Sequence, residues 1–533
     1  MKRFILLLFL IPILVFSQEK DYKTYDKAVK SFNAGNNEKA KKLVFKVLDK
    51  NAEWSKPNLL LASIYATENN IEKAAEFLLN VYSEEKAEDV KGIEILANLY
   101  YSNAYYSDAL YYYESILKLK QAPEISLLIK SCKFAIESLK NPNEISFNNI
   151  GEQVNSELSE YVNAITVDGE KLLFTRRVEV EDKRDQEDLF SYDILNKTIQ
   201  SLPFNTPQNE GAITVSADGS MYVYTACDRQ NSIGGCDLYI RQYTAESGWS
   251  QEFNLGSGVN SKRWESQGCF SPDGKYLYFI SNKKGGFGKE DIWRSEINEK
   301  GVFLPAVNLG TSINTAQAEM SPFLHPDNLT LYFASQGHIG MGGYDLFVSR
   351  RSNSTTDWSA PVNMGYPLNT HNSENSLIVA KNGKTAYYTS DNSGFGQEDI
   401  FVFELPKNMQ AEEVSVLEVD ILTQKVGEEV VLKNVTFTTN SFALEENSFA
   451  ELNLLITYLK KNPNLQIEIQ GHTDDVGSKI DNQILSEQRA KVVFEYLSAK
   501  VENKLTYKGF GESQPLGEDK GENRRTSFVI IKG

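Results

Sequence analysis

An aspartate and an arginine near the C-terminus have the charges and the spacing to bind a zwitterion. Asp474 lies in the run GHTDD, and Arg489 follows it by fifteen residues in the run LSEQRAKVV. A carboxylate in a loop can take an ammonium group, while a guanidinium on a helix can take a carboxylate through two parallel hydrogen bonds. The ligand that suits such a pair is an amino acid.

A strand and a helix must position this pair. The alternating run from Gln466 to Gln470 predicts a strand, so Asp474 would lie in the loop where that strand ends. Ser486 is predicted to begin the first turn of a helix that carries Arg489. The apolar stripe of this helix has helical spacing and consists of Leu485, Val492, Val493 and Tyr496 with Leu497. In the alternative interpretation, Arg489 is a solvated helix arginine and Asp474 only caps a turn.

The C-terminal region, residues 425–533, resembles the OmpA-like peptidoglycan-binding domain that OmpA and Pal share. Several ordered motifs carry the resemblance, namely VTFTTNSFALEENSFAELNLLITYL, GHTD, LSEQRA, GFGESQP and GENRRTSFVII. The resemblance implies that Asp474 and Arg489 clamp the amino and carboxylate ends of diaminopimelate in the peptidoglycan stem peptide. It also implies supporting roles around the loop for Thr473, Asn482, Leu485 and Ser486, and at the border of the pocket for Asn523 and Arg524.

Length and charge limit the classes of protein and partner. A chain of 533 residues is too long for one core and predicts about three or four domains. The 72 acidic residues exceed the 55 basic residues and give a formal charge of -17, which would repel a phosphate backbone. Nucleic acid is therefore not an expected partner. After the N-terminal segment, no stretch is long and apolar enough to span a bilayer.

The N-terminus has the pattern of an export signal. Lys2 and Arg3 precede an apolar run from Phe4 to Phe16, and Val15 and Ser17 suit the small positions of a signal peptidase site. We therefore expect residues 1–17 to be a signal peptide and the protein to be periplasmic. No cysteine adjoins this junction, so the lipid attachment of Pal-like lipoproteins is not available. The expected place is at the cell wall and the inner face of the outer membrane.

Export permits disulfides among the four cysteines. Cys227 and Cys236 flank a turn between two strand-like runs, which favours a disulfide across the two strands, with two reduced cysteines as the open alternative. Cys132 and Cys269 are expected to be buried thiols. The four histidines are scattered and lie away from the cysteines, so no metal site or other cofactor is predicted.

Residues 18–142 show a helical repeat. Ala40, Ala74 and Ala109 occupy equivalent places at separations of 34 and 35 residues, which is the tetratricopeptide period. Three helix pairs are predicted, and the segment PEISLLIKSCKFAIESL would be a capping helix. Some aromatic side chains could either line a peptide-binding surface or belong to the core between repeats, namely Tyr105, Tyr106, Tyr111, Tyr112 and Tyr113.

Residues 147–405 show a second, longer repeat that predicts β-structure. Asp237, Asp291, Asp345 and Asp399 follow one another at intervals of 54 residues, and Asp188 precedes them by 49. Each follows a hairpin with a tight turn, as in PDGKYLYFI, and five such units indicate a five-bladed propeller. This region resembles the WD40-like (PD40) repeats of TolB-type propellers. The repeated aspartates are interpreted as blade-building residues, with a calcium or ligand role as the alternative.

The ends of the β region predict how its ring would close. Three units end in NLGSGVN, NLGTSIN and NMGYPLN, while the last unit lacks such a tail. The similar run NIGEQVN, residues 149–155, precedes the first hairpin instead. We therefore expect this N-terminal piece to supply the outer strand of the last blade, which removes exposed sheet edges.

No catalytic constellation is recognisable, so an enzyme is not expected. Propellers do carry hydrolase chemistry, and such a site should break the repeat symmetry. The residues that break the repeat symmetry do not include a nucleophile paired with a base. They are Arg176, Arg177, Arg184, Arg229 and Trp264. Arg263 and Trp264 are a candidate partner-binding rim.

Together these segments predict a multidomain scaffold. Its parts are an all-α tetratricopeptide solenoid, an all-β five-bladed propeller, a linker over residues 406–424 and an α+β OmpA-like domain. The order resembles PorE-type envelope proteins of the Bacteroidota type IX secretion system, although the linker is too short for the extra β domain of that type. The expected function is to bind peptidoglycan and to hold envelope or secretion-system proteins at the wall. A Tol-Pal-like link between outer membrane and wall is the alternative.

Overall fold

The structure is a computed structural model that describes residues 10–82, 90–119, 122–180, 186–244, 246–353, 356–391, 394–423, 426–438 and 441–532. These residues form two compact units. The first contains the chain up to Asn143 together with residues 336–345 and 363–374. The second contains residues 144–335, 346–362 and 375–533.

The N-terminal region is helical. Its helices within the described residues are α1 (Leu10–Asn33), α2 (Asn37–Leu48), α3 (Ser55–Thr67), α4 (Ile71–Val81), α5 (Val90–Tyr101), α6 (Tyr106–Leu119) and α7 (Pro123–Lys140). The side-chain oxygens of Asn36 and Asn70 cap α2 and α4 by accepting from backbone amides. The three repeated alanines are fully buried, so their small side chains let neighbouring helices approach closely.

The tyrosines of the helical region divide between core and surface. Tyr106 and Tyr113 are buried, whereas Tyr105 and Tyr111 are exposed. The Tyr106 hydroxyl donates to the carbonyl of Met341 at 2.7 Å, and Met341 packs into the same small core. The helices of the first unit are therefore held to residues 336–345 by buried tyrosines as well as by apolar contacts.

Five antiparallel sheets follow, after the short strand β1 (Asn148–Asn149). Sheet I contains β2 (Glu160–Ile165), β3 (Lys171–Val178), β4 (Gln186–Asp193) and β5 (Thr198–Ser201). Sheet II contains β6 (Glu210–Val215), β7 (Met221–Cys227), β8 (Cys236–Thr244), β9 (Gly248–Trp249) and β10 (Phe253–Asn254). Sheet III contains β11 (Glu265–Phe270), β12 (Tyr276–Ser281), β13 (Asp291–Glu296) and β14 (Val307–Asn308).

The remaining two sheets have the same order. Sheet IV contains β15 (Glu319–Leu324), β16 (Thr330–Ser335), β17 (Asp345–Arg350) and β18 (Val362–Asn363). Sheet V contains β19 (Leu377–Val379), β20 (Thr385–Ser390) and β21 (Asp399–Glu404), and β1 pairs with β21 as its outermost strand. The N-terminal piece of the β region thus lies where the tail pattern predicts it.

Four of the five repeated aspartates hold tight turns, whereas Asp188 accepts from the side-chain amide of Gln186 at 2.7 Å. Asp291 accepts hydrogen bonds from the backbone amides of Phe287 and Gly288, and from the side-chain amide of Asn308. Asp237 and Asp399 have equivalent partners in their own sheets, and Asp345 accepts from two turn amides. Because these carboxylates are saturated by the chain itself, their contacts favour the blade-building interpretation over a ligand role.

A second set of repeated carboxylates is not apparent from the sequence analysis. A buried glutamate lies at the first position of sheets I to IV and three residues before sheet V, and each accepts a hydrogen bond from a hydroxyl four residues earlier. These glutamates are Glu160, Glu210, Glu265, Glu319 and Glu374. Burial raises the pKa of Glu319, although hydrogen bonds from Thr315 and Ser335 oppose the shift.

The C-terminal region is a mixed sheet covered by helices. Its strands are ordered β22 (Glu429–Val431), β25 (Thr526–Lys532), β23 (Gln466–His472) and β24 (Leu505–Gly511), with β23 and β24 parallel. The helices are α8 (Val416–Thr423), α9 (Ser448–Lys461), α10 (Lys479–Ser498) and α11 (Lys520–Asn523). Leu417 and Ile421 of α8 belong to the C-terminal core, so the predicted linker over 406–424 contains part of this fold.

The cysteines and the N-terminus complete the description. A disulfide joins Cys227 to Cys236, while Cys132 and Cys269 are buried thiols. Helix α1 begins at Leu10, and residues 1–9 of the predicted signal peptide lie outside the described residues, so cleavage after residue 17 stays a prediction. Among the described helices, none has both the length and the hydropathy to cross a membrane.

Candidate functional site

Close backbone packing between β23, β24 and α10 sets the floor of the site. A Cβ atom added to Gly471 would lie 2.2 Å from the carbonyl oxygen of Ser486. One added to Gly509 would lie 2.4 Å from the amide nitrogen of Glu487. Only glycine permits this approach, since real Cβ contacts are never so short. The helix is thereby held against the strand ends that lead into the GHTD loop.

Helix α10 begins earlier than predicted. The prediction that Ser486 begins its first turn is wrong, because the helix starts at Lys479 and Ser478 is its N-cap. The Ser478 hydroxyl accepts from the amide of Asp481 at 3.1 Å. Ser486 lies inside the helix, fully buried, where its hydroxyl donates to the Gln483 carbonyl and accepts from the Gly511 amide at 2.9 Å.

Asp474 is a buried carboxylate with two partners in the chain. Its Oδ1 accepts from the Val476 amide at 3.1 Å, and its Oδ2 accepts from Arg524 at 2.7 Å. Only 8% of Asp474 is exposed. The Asn482 side-chain amide donates to the Asp474 carbonyl at 3.2 Å and to Glu512 at 2.8 Å, which fixes the loop. The carboxylate is therefore held in one orientation by its own backbone.

Arg489 is half-buried beside an aromatic ring. Its Nε donates to the carbonyl of Ser441 at 3.1 Å, and its guanidinium lies 5.0 Å from the centre of the Phe437 ring. Burial lowers the pKa of Arg489, the charge of Arg524 adds to this, and Asp474 opposes it. No carboxylate among the described residues forms an ion pair with Arg489. Its two terminal nitrogens can therefore take a ligand carboxylate side by side.

A cavity of about 530 Å³ brings most of the predicted residues together. Six of the eight line it, namely Thr473, Asp474, Asn482, Leu485, Arg489 and Arg524. Ser486 and Asn523 are not in the lining. Asn523 supports the far side of the loop instead, since its side chain accepts from the Leu516 amide at 2.7 Å and donates to the Gly517 carbonyl at 2.9 Å.

The Thr473 hydroxyl lacks a hydrogen bond within the part of the chain that the structure describes. Its oxygen is buried and has no hydrogen-bond partner among the described residues. A buried hydroxyl without a partner costs roughly 1–3 kcal/mol. Because Thr473 lines the same cavity as Asp474, a polar ligand can remove that cost.

Six lining residues are absent from the predicted set, and three of them bear on the charge and shape of the cavity. Arg525 lies next to Arg524, but its guanidinium is bound by Glu429 through contacts of 2.7 and 3.0 Å. Phe437 supplies the aromatic wall, and Val435 adds an apolar edge. The paired arginines in GENRRTSFVII are a sequence signal for Arg525, and Phe437 lies in the motif VTFTTNSF, although its contact with Arg489, 52 positions later, is not apparent from that motif.

A neutral histidine adjoins Arg525 and Glu429. His472 is buried, and its ring stacks on Phe510 with centroids 5.3 Å apart. Burial lowers the pKa of His472 to about 4, with the Arg525 charge acting in the same direction and Glu429 opposing it. His472 therefore contributes no positive charge near neutral pH.

The residues that break the repeat symmetry of the β region do not converge on one catalytic centre. Arg176 pairs with Glu160 at 3.0 Å, and Arg229 pairs with both Glu210 and Glu252. Trp264 and Glu187, the partner of Arg177, line a separate cavity. Arg184 lies outside the described residues. Among all the residues that the structure describes, no cluster of His, Cys, Asp and Glu side chains could hold a metal ion.

Comparisons with known proteins concern mainly the C-terminal region. The profile of the OmpA family matches residues 436–527. Outer membrane porin F of Pseudomonas aeruginosa is 35% identical over 105 residues, 18% of this chain and 30% of its own length. Peptidoglycan-binding protein ArfA of Mycobacterium tuberculosis is 31% identical over 103 residues, 18% of this chain and 32% of its own. The chain thus spans less than a third of these relatives.

Two solved structures are also similar to parts of the chain. The peptidoglycan-associated lipoprotein of Burkholderia pseudomallei is 31% identical, with 18% of this chain and 87% of that chain covered and a TM-score of 0.17. A putative TolB from Agrobacterium tumefaciens covers 45% of this chain and 73% of its own at 18% identity, with a TM-score of 0.28. The C-terminal domain of this chain, over residues 436–527, is therefore OmpA-like.

Proposed function

We propose that the C-terminal domain binds the stem peptide of peptidoglycan. Asp474 takes the free ammonium group of diaminopimelate, and Arg489 takes its carboxylate. The observation that carries the proposal is the 530 Å³ cavity, which contains an oriented carboxylate, an arginine without a carboxylate partner and a buried hydroxyl in need of a hydrogen bond. Thr473 supplies that hydroxyl, while Asn482, Ser486 and Asn523 hold the surrounding backbone.

The names of relatives support this ligand. ArfA is named a peptidoglycan-binding protein, and the Burkholderia structure is of a peptidoglycan-associated lipoprotein. The OmpA family profile, which matches residues 436–527, includes both Asp474 and Arg489. A zwitterion held at both ends also satisfies the charges of the site, because each ligand charge meets one oriented opposite charge.

The rest of the chain is proposed to be a non-enzymatic scaffold in the periplasm. The helices of residues 18–142 form a tetratricopeptide solenoid, and the sheets of residues 147–405 form a five-bladed propeller. These regions hold an envelope protein complex near the wall, for which the type IX secretion machinery is the first candidate. A Tol-Pal-like link to the outer membrane is the alternative, and cross-linking of the full chain in its native cell distinguishes the two by partner identity.

Binding to purified sacculi tests the wall assignment. The full chain should co-sediment with sacculi, and Arg489→Ala should lose binding. Lys491→Ala is the matched control, since Lys491 lies on the same helix and pairs only with Glu495 at 3.7 Å. Circular dichroism verifies that each variant is folded. Equal co-sedimentation of Arg489→Ala and the wild type would refute the site.

A further inference from the structure

We infer that a second cavity, in the β region, binds a neutral, hydroxyl-rich ligand of the saccharide class. This cavity has a volume of about 260 Å³ and is lined by the first strands of all five sheets. Those strands are β2, β6, β11, β15 and β19. The inference does not depend on peptidoglycan binding by the C-terminal domain, because no residue of that domain lines the cavity.

The positions that face this cavity vary between sheets although their neighbours repeat. The buried glutamate at or just before the start of each sheet recurs five times. The residue that directly follows this glutamate is different in all five cases, and in four of them it lines the cavity. These residues are Tyr161, Gly211, Ser266, Met320 and Asn375. Residues that only build a blade would repeat with the glutamate. Variation at positions that face the cavity, beside a glutamate that repeats, is therefore the pattern expected of a ligand site.

Three side-chain amides in the cavity wall have NH₂ groups that can donate hydrogen bonds to a ligand. The oxygen of Asn163 accepts from Thr175 at 2.7 Å, that of Asn209 from the Glu187 amide at 3.1 Å, and that of Gln267 from the Ser321 amide at 2.7 Å. Their NH₂ groups make no hydrogen bond with the described residues. With their oxygens fixed by the protein, these side chains present donors to any acceptor in the cavity.

An acceptor and two aromatic rings complete the set. The Glu187 carboxylate has no hydrogen bond among the described residues, and its nearest cation is Arg177 at 3.9 Å. Gly211 leaves it room, since a Cβ there would lie 3.2 Å from a Glu187 oxygen. Trp264 and Tyr161 add aromatic surface to the wall. Carbon-bound hydrogens of a sugar ring can pack on such rings while its hydroxyls bond to amides and carboxylate.

Charge argues against ionic ligands. Among Asp, Glu, His, Lys and Arg, only Glu187 is in the described lining, and Arg177 lies beside it at 3.9 Å. Burial raises the pKa of Glu187, the carboxylate of Glu398 adds to the shift, and Arg177 opposes it. An anion would meet a carboxylate, and a cation would meet a charge that is already compensated. A ligand with hydroxyls donates to Glu187 and accepts from the amides without carrying charge.

Size argues against a polymer threaded through the cavity. Its volume is just below the roughly 300–1,000 Å³ of typical ligand sites. A neighbouring cavity that shares Asn163 and Phe323 with it has a volume of only about 50 Å³. The space therefore suits one sugar ring, either free or at the end of a glycan, better than an extended peptide that passes through.

Saturation-transfer NMR on the full-length chain tests this inference. The probes are glucose, galactose, arabinose and N-acetylglucosamine, each measured alone, and a glycan array extends the set. We expect at least one sugar to bind. Glu187→Gln and Trp264→Ala should each weaken that binding at least tenfold, and circular dichroism should show both variants folded.

Two controls locate the effect. Glu290→Gln is matched to Glu187→Gln, because Glu290 precedes Asp291 as Glu187 precedes Asp188, yet it does not line the cavity. It should bind sugar normally, as should Arg489→Ala, in which the proposed wall site is removed. Absence of sugar binding by the wild type, or unchanged binding by Glu187→Gln and Trp264→Ala, overturns the inference. Capture of peptides from a peptide array with no sugar binding would also overturn it.

Discussion

Arg524 donates a hydrogen bond to Asp474 at 2.7 Å, so the carboxylate proposed to take the ligand ammonium already has a cationic partner in the chain. The Arg524 side chain is 53% exposed. The Asp474 side chain is only 10% exposed, so the mobile partner of this pair is Arg524, whose guanidinium can turn towards solvent when a ligand ammonium takes its place.

The exposure of Arg524 leads to a prediction that separates it from Arg489. Arg524→Gln removes a competitor for Asp474, so affinity for sacculi should stay within about fivefold of the wild type and should not fall as it does in Arg489→Gln. Quantitative co-sedimentation over a range of sacculus concentrations measures the difference. An equal loss in both variants would mean that Arg524 itself holds the ligand carboxylate.

The adjacent aspartates Asp474 and Asp475 should differ sharply. Asp474→Asn keeps the shape of the buried side chain but removes the charge for the ammonium, which should cost about 2–5 kcal/mol of binding free energy. Asp475→Asn should bind normally, because Asp475 is exposed and pairs only with Lys520 at 2.7 Å. The same sacculus assay compares them. Similar binding by the two variants would remove Asp474 from the site.

Gly471 should not tolerate a side chain. Gly471→Ala forces apart β23 and α10, and overpacking of this kind costs about 3 kcal/mol. Hydrogen exchange followed by mass spectrometry should show lost protection over residues 466–472 and 479–498. Gly517→Ala is the control, since a Cβ there meets nothing within 4 Å. Full protection in Gly471→Ala would contradict the close approach.

His472 should remain neutral well below the usual histidine range. Its pKa in the folded protein is about 4 against an ordinary 6.5, so the unfolded chain binds more protons between these values. The stability of the C-terminal domain is then complete above pH 6.5 and falls as pH drops towards 4, by about 3 kcal/mol. The NMR signal of His472, assigned with His472→Asn, should shift little between pH 7.5 and 5.5. A midpoint near 6.5 would disprove this.

Asn149 should stabilise the β region out of proportion to its size. It donates to Asp399 at 2.6 Å and accepts from Asn155 at 2.8 Å, which ties the start of the region to its last sheet. Asn149→Ala should lower the free energy of unfolding by about 1–3 kcal/mol. Asn148→Ala should have little effect, since that side chain is exposed. Urea unfolding followed by tryptophan fluorescence compares them, because Trp249, Trp264, Trp293 and Trp358 all lie in this region.

Sequence patterns predict the elements of this chain better than their exact ends. The intervals between Asp237, Asp291, Asp345 and Asp399 reflect one repeated set of turn contacts, so the sheets could be placed from spacing alone. The start of α10 could not be predicted from the sequence in this way. Ser478 and Ser486 both suit an N-cap, and the choice depends on Ser486 being buried against Gly509 of another strand.

In the candidate site, too, local motifs predict the residues but not the contacts between distant parts of the chain. Asp474 and Arg489 were predicted together because each lies in a local motif, and both line one cavity. The contact between Arg489 and the Ser441 carbonyl joins residues 48 positions apart, and the pair of Asp474 and Arg524 joins residues 50 apart. Such contacts depend on how the sheet is ordered. Backbone features such as the left-handed Ala212 and Gln267 are also hidden, since those residue types do not favour that conformation.

The pairing of β1 with β21 has a consequence for the time that folding takes. Asn149 and Asp399 are 250 positions apart in the chain, so sheet V cannot be completed until residues near 404 have been synthesised. At about 5–20 residues per second, the first strand waits roughly 12–50 seconds for its partner. The N-terminal helices have local contacts and can form during that interval. Until then, β1 lacks its partner strand, and an unpaired strand is open to pairing with other chains.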